Sequence, residues 1–477
     1  MPRATEVGRR RFLGMLAGTA AAVALPGGAL GRKEPAAGAR RPNVLVIQPD
    51  QHRGMTLGCA GDEQAWTPNL DRLAAEGIRF SHAVSSSPLC APFRGTMQTG
   101  LYWHTHGVTR NNRQLEPGLT GFAEIFAGNG YATGYIGKWH LDGSGSRLGF
   151  VPEGPRRQGW QEWNGYEKSH EYVDVWRFDA AGTRIRVPGY DWEPRWQTDV
   201  LLDFARRHGE GGRPWLFYLA YGPPHNPRQC PERFLERFPP GGFELPPDIR
   251  ALPRAREREV RRLWQVYYGQ VAAIDHEVGR ILAGLDELGA LDDTVVLYCS
   301  DHGDRLGSHA LEIPGSGDEE FNMRGKASPH ATAFRIPLLV RWPDAVPAGR
   351  VSSALVCGED LAQTLLELAG LEAPSGVQGR SLAAACRGGD APARTALYLG
   401  VGLRDVDRGW RAVWDGRYVY SIGRYRVLYD HVEDPYELRN EFGRASHVEL
   451  QRTLRARLAE LATETGDPSD LSAYAAS

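Results

Sequence analysis

The chain has 477 residues, enough for a large core with an appendage and too many for one small domain. Its 56 Lys+Arg against 58 Asp+Glu leave no single-sign field of the kind that draws nucleic acid. Nucleic acid is therefore excluded as a partner, and any charged substrate must be held by a local site.

The first forty residues differ in texture from the rest. Arg9-Arg10-Arg11-Phe12-Leu13 precedes an apolar run from Leu13 to Leu25, followed by Pro26-Gly27-Gly28. This resembles a twin-arginine export signal, with an apolar part too short for a membrane span. Residues 1–39 are predicted to be that leader, with the twin-arginine export machinery as a partner and an exported, periplasmic or extracellular product. No later segment reaches transmembrane length, so no stable membrane span is expected.

Beyond the leader, short apolar runs alternate with helical stretches, which predicts an α/β fold: a large, mainly parallel sheet sandwiched by helices. Strands are predicted at Val44 to Ile47, Tyr131 to Ile136, Trp215 to Leu219, Val295 to Cys299 and Leu338 to Val340, each apolar enough to be buried on both faces. Thr67-Pro68 supplies a cap and a first-turn proline for a helix through Ala75, and Val260 to Leu288 reads as one long amphipathic helix or a pair. This catalytic unit is assigned residues 40–395. From 396 to 477 the texture changes to short alternating strands and a charged helix from about Val448 to Thr463, predicting a smaller C-terminal antiparallel α+β subdomain with no obvious catalytic cluster.

Polar residues follow four of the five strands directly: Asp50-Gln51, Lys138-Trp139-His140, His225, and Asp301-His302-Gly303-Asp304. In a parallel sheet these places share the carboxyl edge, where open α/β sheets bind ligands. Any one of them could be a cap or a loop salt bridge; together they predict a site. The six cysteines form no CxxC pair or zinc-ligand spacing, which argues against a structural zinc or a redox motif, and Cys299 reads as a small core residue. Cys90 lies just before Pro92, a residue suited to a helix's first turn, so it is placed at a positive helix end. By itself that fits a low-pKa nucleophile or a buried thiol equally well.

The segment Cys90-Ala91-Pro92-Phe93-Arg94 resembles the Cys-x-Pro-x-Arg signature of the sulfatase family, whose cysteine is oxidised to formylglycine. Further family-like segments follow in order. They are Pro42 to Arg53, Thr67 to Ala74, Gly100-Leu101-Tyr102, Gly137 to Leu141, Ser300 to Asp304, Leu306 to His309, Arg335 to Pro343, and Leu428 to Asn440. The resemblance thus runs from residue 42 to the C terminus and implies an alkaline-phosphatase-like fold. It also implies a formylglycine-generating enzyme as partner.

Carried over, the resemblance implies one divalent metal held by Asp50, Gln51, Cys90 as formylglycine, Asp301 and His302. Oxygen-rich ligands suit calcium. Gln51 and His302 stand where many members have Asp and Asn, which keeps manganese and magnesium as alternatives. Arg94 would hold the formylglycine hydrate, and Lys138 and Lys326 would bind the sulfate oxygens. His225, or Lys326 beside it, would protonate the leaving oxygen, and His140 would be the base that regenerates the aldehyde. Lys326 is found by counting back from Arg335-Ile336-Pro337; His330-Ala331-Thr332 occupy places where the family has Tyr-Glu-Glu, and Leu311 to Arg324 looks extended.

Tyr166, His170, Trp192 and His104 are predicted substrate contacts, because aromatic faces suit sugar rings. His106, Asn111 and Asn112 could also reach the pocket. The expected substrate is a sulfated small molecule or glycan, most readily a carbohydrate sulfate. Two alternatives remain: a phosphonate monoester or phosphodiester hydrolase using the same site, and an inactive glycan-binding protein of this type.

Overall fold

The computed structural model describes residues 41–143, 149–167, 170–227, 229–250, 253–309, 325–402 and 406–474. The predicted leader, residues 1–39, and the extended segment 311–324 lie outside the described residues. Among those described, no helix is long and apolar enough to cross a membrane.

In chain order the first strands are β1 (Asn43–Ile47), β2 (Ile78–Val84), β3 (Ala132–Lys138) and β4 (Glu162–Tyr166), then a separate hairpin of β5 (Trp176–Phe178) and β6 (Arg184–Arg186). They are followed by β7 (Trp215–Ala220), β8 (Thr294–Cys299), β9 (Leu338–Arg341) and β10 (Arg350–Cys357). The main sheet has eight strands in the order β10-β2-β9-β8-β1-β7-β3-β4. Parallel pairing places β1 between β7 and β8, with Val44 opposite both Leu216 and Val295. The exception is β9, antiparallel to both neighbours. The chain enters it from the rim where β8 ended, so Leu338 pairs with Cys299 and the strand runs back.

Helices α1 (Pro68–Ala75), α2 (Cys90–Thr99), α3 (Phe122–Gly128), α4 (Glu193–Glu210), α5 (Arg254–Glu287) and α6 (Leu361–Leu368) cover the sheet. The side chains of β1 alternate between two cores, as a strand buried on both faces requires. Val44 and Val46 pack with Phe93, Phe126 and Leu365 from α2, α3 and α6. Leu45 and Ile47 pack with Leu73, Phe204 and Ile281 from α1, α4 and α5.

A four-stranded antiparallel sheet follows: β11 (Leu397–Val401), β12 (Trp410–Trp414), β13 (Tyr418–Gly423) and β14 (Val427–Asp430). Its Val413 and Tyr420 pack on Leu454 and Leu458 of α7 (Val448–Thr465). Its other face carries Trp410 and Trp414 against Phe334 and Cys357 of the main body.

The five predicted strands are present. Missed were β2, β4 and β10, which lie towards the sheet's edges and interleave polar residues, the short hairpin β5–β6, and β11, interrupted by Gly400. Val260 to Leu288 falls in the single helix α5. Thr67 stands at the start of α1 but makes no capping bond; its hydroxyl accepts from Gly58 N–H and donates to Asp71. All six cysteines are free, and Cys299 is a fully buried core residue.

Candidate active site

Because β1, β3, β7 and β8 run parallel, the residues after them meet at one rim. Gly137 has φ 100, and a Cβ there would meet the Ala220 carbonyl oxygen at 2.0 Å. Glycine is therefore required for β3 to deliver Lys138 against β7. Two non-glycine residues of the rim, Gln51 (φ 73) and His140 (φ 61), also hold left-handed backbone. Such conformations persist only where the surroundings over-determine them.

Cys90 is the first residue of α2 and is buried. The carboxamide of Asn111 accepts from the next backbone N–H, that of Ala91, at 3.1 Å. Around the Cys90 Sγ stand His302 Nε2 at 3.3 Å, Lys326 Nζ at 3.1 Å and Asp50 Oδ1 at 3.8 Å. Beneath it, the buried Arg94 guanidinium donates through one nitrogen to Asp50 Oδ2 at 3.2 Å and Asp301 Oδ2 at 3.1 Å. Its other terminal nitrogen donates to the Lys138 carbonyl at 2.6 Å. Lys138 Nζ itself lies 2.5 Å from Asp50 Oδ2.

The electrostatics follow from burial and crowding. Burial works against a charge on Asp50, as does Cys90, yet Lys138, His225 and Lys326 outweigh them and hold its carboxyl well below the usual range. Burial and the neighbouring Asp50 push Asp301 up. Burial also opposes the Cys90 thiolate, but Lys138, Lys326 and His302 lower the thiol well below its ordinary value. His140 is pushed down to about 4, chiefly by burial, and so is neutral near pH 7.

A family model described as Sulfatase matches residues 42–371. The chain belongs to the sulfatase family. A second model, N-sulphoglucosamine sulphohydrolase, C-terminal, matches residues 320–464 of this sulfatase. The ulvan-active sulfatase of Formosa agariphila is 31% identical over 437 residues, covering 90% of this chain and 82% of that protein. The N-acetylglucosamine-6-O-sulfatase of Bacteroides thetaiotaomicron is 27% identical, covering 88% and 86%. The solved structure of the Bacteroides fragilis candidate sulfatase yidJ superposes with a TM-score of 0.82 at 26% identity, covering 92% of this chain and 98% of that one. The activity is accordingly that of a sulfuric ester hydrolase.

The family implies a metal and a formylglycine, and the residues fit both. One ligand atom each from Asp50, Cys90, Asp301 and His302, all buried, lies within 4.8 Å of the others. His302 Nδ1 donates to the Gly303 carbonyl at 2.8 Å, which leaves Nε2 as a lone-pair donor facing that cluster. The Cys90 sulfur stands where the formylglycine oxygens would be. Gln51 reaches the same place: its backbone N–H donates to Asp301 Oδ1 at 2.9 Å, and its Oε1 accepts from Lys326 Nζ at 3.0 Å. Sequence reasoning overlooked the part of Asp304, which accepts from the Gln51 amide nitrogen and so fixes which end of that side chain faces the cluster. Its signal was the second acid of Asp301-His302-Gly303-Asp304.

His225 and His170 are brought together, stacked at 4.5 Å between ring centroids. His225 Nδ1 donates to the Asn226 carbonyl at 2.6 Å, so Nε2 is the nitrogen left for a ligand. Burial, then Lys138 and His225, press His170 down to about 2. Two predicted substrate contacts are corrected. His104 is buried between Tyr102, Trp103 and Tyr398, 4.0 Å from Asp467, so it packs against the C-terminal subdomain. Trp192 is a core residue, 1% exposed, packed with Tyr172 and Trp196. Tyr166, level with Lys138 on the neighbouring strand, is buried, and its hydroxyl donates to Glu193 at 3.1 Å. His106 is a buried helix residue bonded to Thr96 and Val108.

Proposed function

We propose that this sulfatase is exported and removes sulfate from carbohydrate sulfates, using Cys90 as formylglycine and one divalent cation, calcium first. The observation that carries the reading is the meeting of Cys90 with Asp50, Asp301 and His302 under two lysine ammonium groups. The ulvan-active and N-acetylglucosamine-6-O-sulfatase relatives support a carbohydrate substrate. The presence of Cys90, Asp50 and Asp301 in contact speaks against an inactive glycan-binding protein.

A sulfate ester resists attack because its oxygens are anionic and its leaving alkoxide is poor; both obstacles call for fixed positive charge. Lys138 and Lys326 supply it as donors to the sulfate oxygens. Arg94 bridges the two carboxylates and, through the Lys138 carbonyl, ties β3 to α2. His225 Nε2, protonated, delivers its proton to the leaving oxygen, with Nδ1 anchored on Asn226 to aim the ring. Neutral His140 takes a proton at the Cys90 position when sulfate is released; its Nδ1 has no partner among the described residues. His170, stacked on His225, borders the side where the alcohol leaves.

Asp50, Asp301, His302 Nε2 and the Gln51 carboxamide oxygen would hold the cation, which supplies Lewis-acid polarisation of a sulfate oxygen. Formylglycine supplies a hydrate with one hydroxyl to attack sulfur and a second to expel sulfate. A panel of sulfated mono- and oligosaccharides, an aryl sulfate and matched phosphonate monoesters tests the assignment. Faster turnover of the phosphonates would overturn it. Chelation should abolish turnover, with calcium restoring it better than manganese or magnesium.

A further inference from the structure

The small C-terminal sheet does more than cover one side of the main body. Lys326 approaches the Cys90 sulfur from a position whose two backbone neighbours, Gly325 and Ala327, are both hydrogen-bonded. The Arg305 N–H donates to the Gly325 carbonyl at 2.9 Å, and the Ala327 N–H donates to the Pro88 carbonyl at 2.8 Å, two residues before the nucleophile. Ala327 has φ 61, a left-handed conformation that strains an alanine by about 1–2 kcal/mol and must be imposed from outside. The bond that imposes it comes from β12: Trp410 Nε1–H donates to the Ala327 carbonyl at 2.8 Å across 83 residues of sequence.

A second hold lies four residues on. Glu437, 1% exposed, accepts from the Ala331 N–H at 3.0 Å and from His431 Nε2 at 2.9 Å, and its other oxygen lies 3.2 Å from His309 Nε2. The Trp414 indole donates to His431 Nδ1 at 3.2 Å, which fixes the tautomer that donates to Glu437. His309 stacks on His330 at 4.0 Å, so the residues flanking this segment are clamped to the same carboxylate.

We propose that Trp410 and Glu437 are positioning residues for the reaction: they hold Lys326 against the nucleophile, and the C-terminal sheet is thereby part of the catalytic machinery. The inference rests on the reading above in which Lys326 binds the sulfate. It explains why a left-handed alanine is maintained beside a half-buried lysine, which packing alone does not require.

A double-mutant cycle tests it in the full chain, with an aryl sulfate and a sulfated sugar as substrates. Trp410→Phe keeps an aromatic ring and removes the donor. It should lower kcat by roughly ten- to a hundredfold, about one lost donor at a charged centre. In a Lys326→Ala background the same change should add less than twofold. Acetylation of the protein with acetic anhydride, read by peptide mapping, should modify Lys326 several times faster in Trp410→Phe than in the wild type. Equal losses in both backgrounds, with unchanged labelling, would make Trp410 a merely structural residue and overturn the clamp while leaving the proposed function intact. Full activity of Lys326→Ala alone would overturn both. If Trp410→Phe does not fold, Glu437→Leu, which removes the acceptor for the Ala331 N–H, goes through the same cycle with the same expected result.

Discussion

In the C-terminal sheet, buried Arg411 meets buried Asp467 with Nε to Oδ2 at 2.7 Å, and its remaining nitrogens reach Ser469 and the carbonyls of Val401 and Trp410. At the strand-end rim, Asp50, Asp301, His302 and Cys90 crowd within 4.8 Å of one another. Both regions bury charge, but the first pairs one cation with one anion, while the second packs two carboxylates, a thiol and an imidazole against Arg94, Lys138 and Lys326. Crowding several like groups on each side of such a cluster is costly for the fold alone, which a single buried pair avoids. The comparison separates charge that holds a fold from charge that does chemistry.

The comparison breaks most visibly at Cys90. Cys90→Ala should lower turnover by on the order of 10⁴-fold or more while leaving the thermal midpoint within a few degrees of the wild type. Retained hydrolysis would remove the nucleophile. Arg411→Met should do the reverse: about 3–5 kcal/mol of stability lost to chemical denaturation, because Asp467 is left buried and unpaired. Below the denaturation range its activity per folded molecule should stay near wild type, and a selective loss of kcat would blur the distinction between the two regions.

Much of the rim was legible in the sequence because each polar cluster follows an apolar run that can only be a buried strand, as with Val44 to Ile47 before Asp50. Parallel topology then brings the clusters together without any further information. His104 and Trp192 were misread for the opposite reason: a histidine or tryptophan at a helix start looks the same whether it faces a pocket or a core. Only tertiary packing, Tyr398 against one and Tyr172 beside the other, decides. The Glu437 and Trp410 bonds were invisible because they span 106 and 83 residues and join elements with no shared periodicity. Asp304 could have been read, since it stands in the same short motif as two proposed ligands.

Smaller effects sharpen the rim's internal division of labour. His225→Ala should cost about 10²-fold on alkyl sulfates and less than tenfold on activated aryl sulfates, because only a poor leaving group needs the proton. Equal losses on both, measured as kcat/KM, would rule out its role as the acid. The smallest change concerns a histidine that only supports the fold. Burial, with His104 adding to it, depresses His106 to about 3, so between that pH and about 6.5 the unfolded chain holds a proton the folded one refuses. Its contribution to stability is full above pH 6.5 and is lost as pH falls through that window. His106→Asn, which keeps an acceptor for the Val108 N–H, should flatten the slope of unfolding free energy against pH there by about one proton, roughly 1.4 kcal/mol per pH unit. An unchanged slope would assign that acid sensitivity to other groups, among them His52, which is pushed down to about 4 by burial.

The reading as a whole turns on what Cys90 has become in the working enzyme. Mass spectrometry of the peptide containing residue 90, taken from protein of measured specific activity, tests this directly. An aldehyde at that position, in a fraction that tracks specific activity from batch to batch, is the predicted result. A peptide carrying only an unmodified thiol in fully active protein would contradict it.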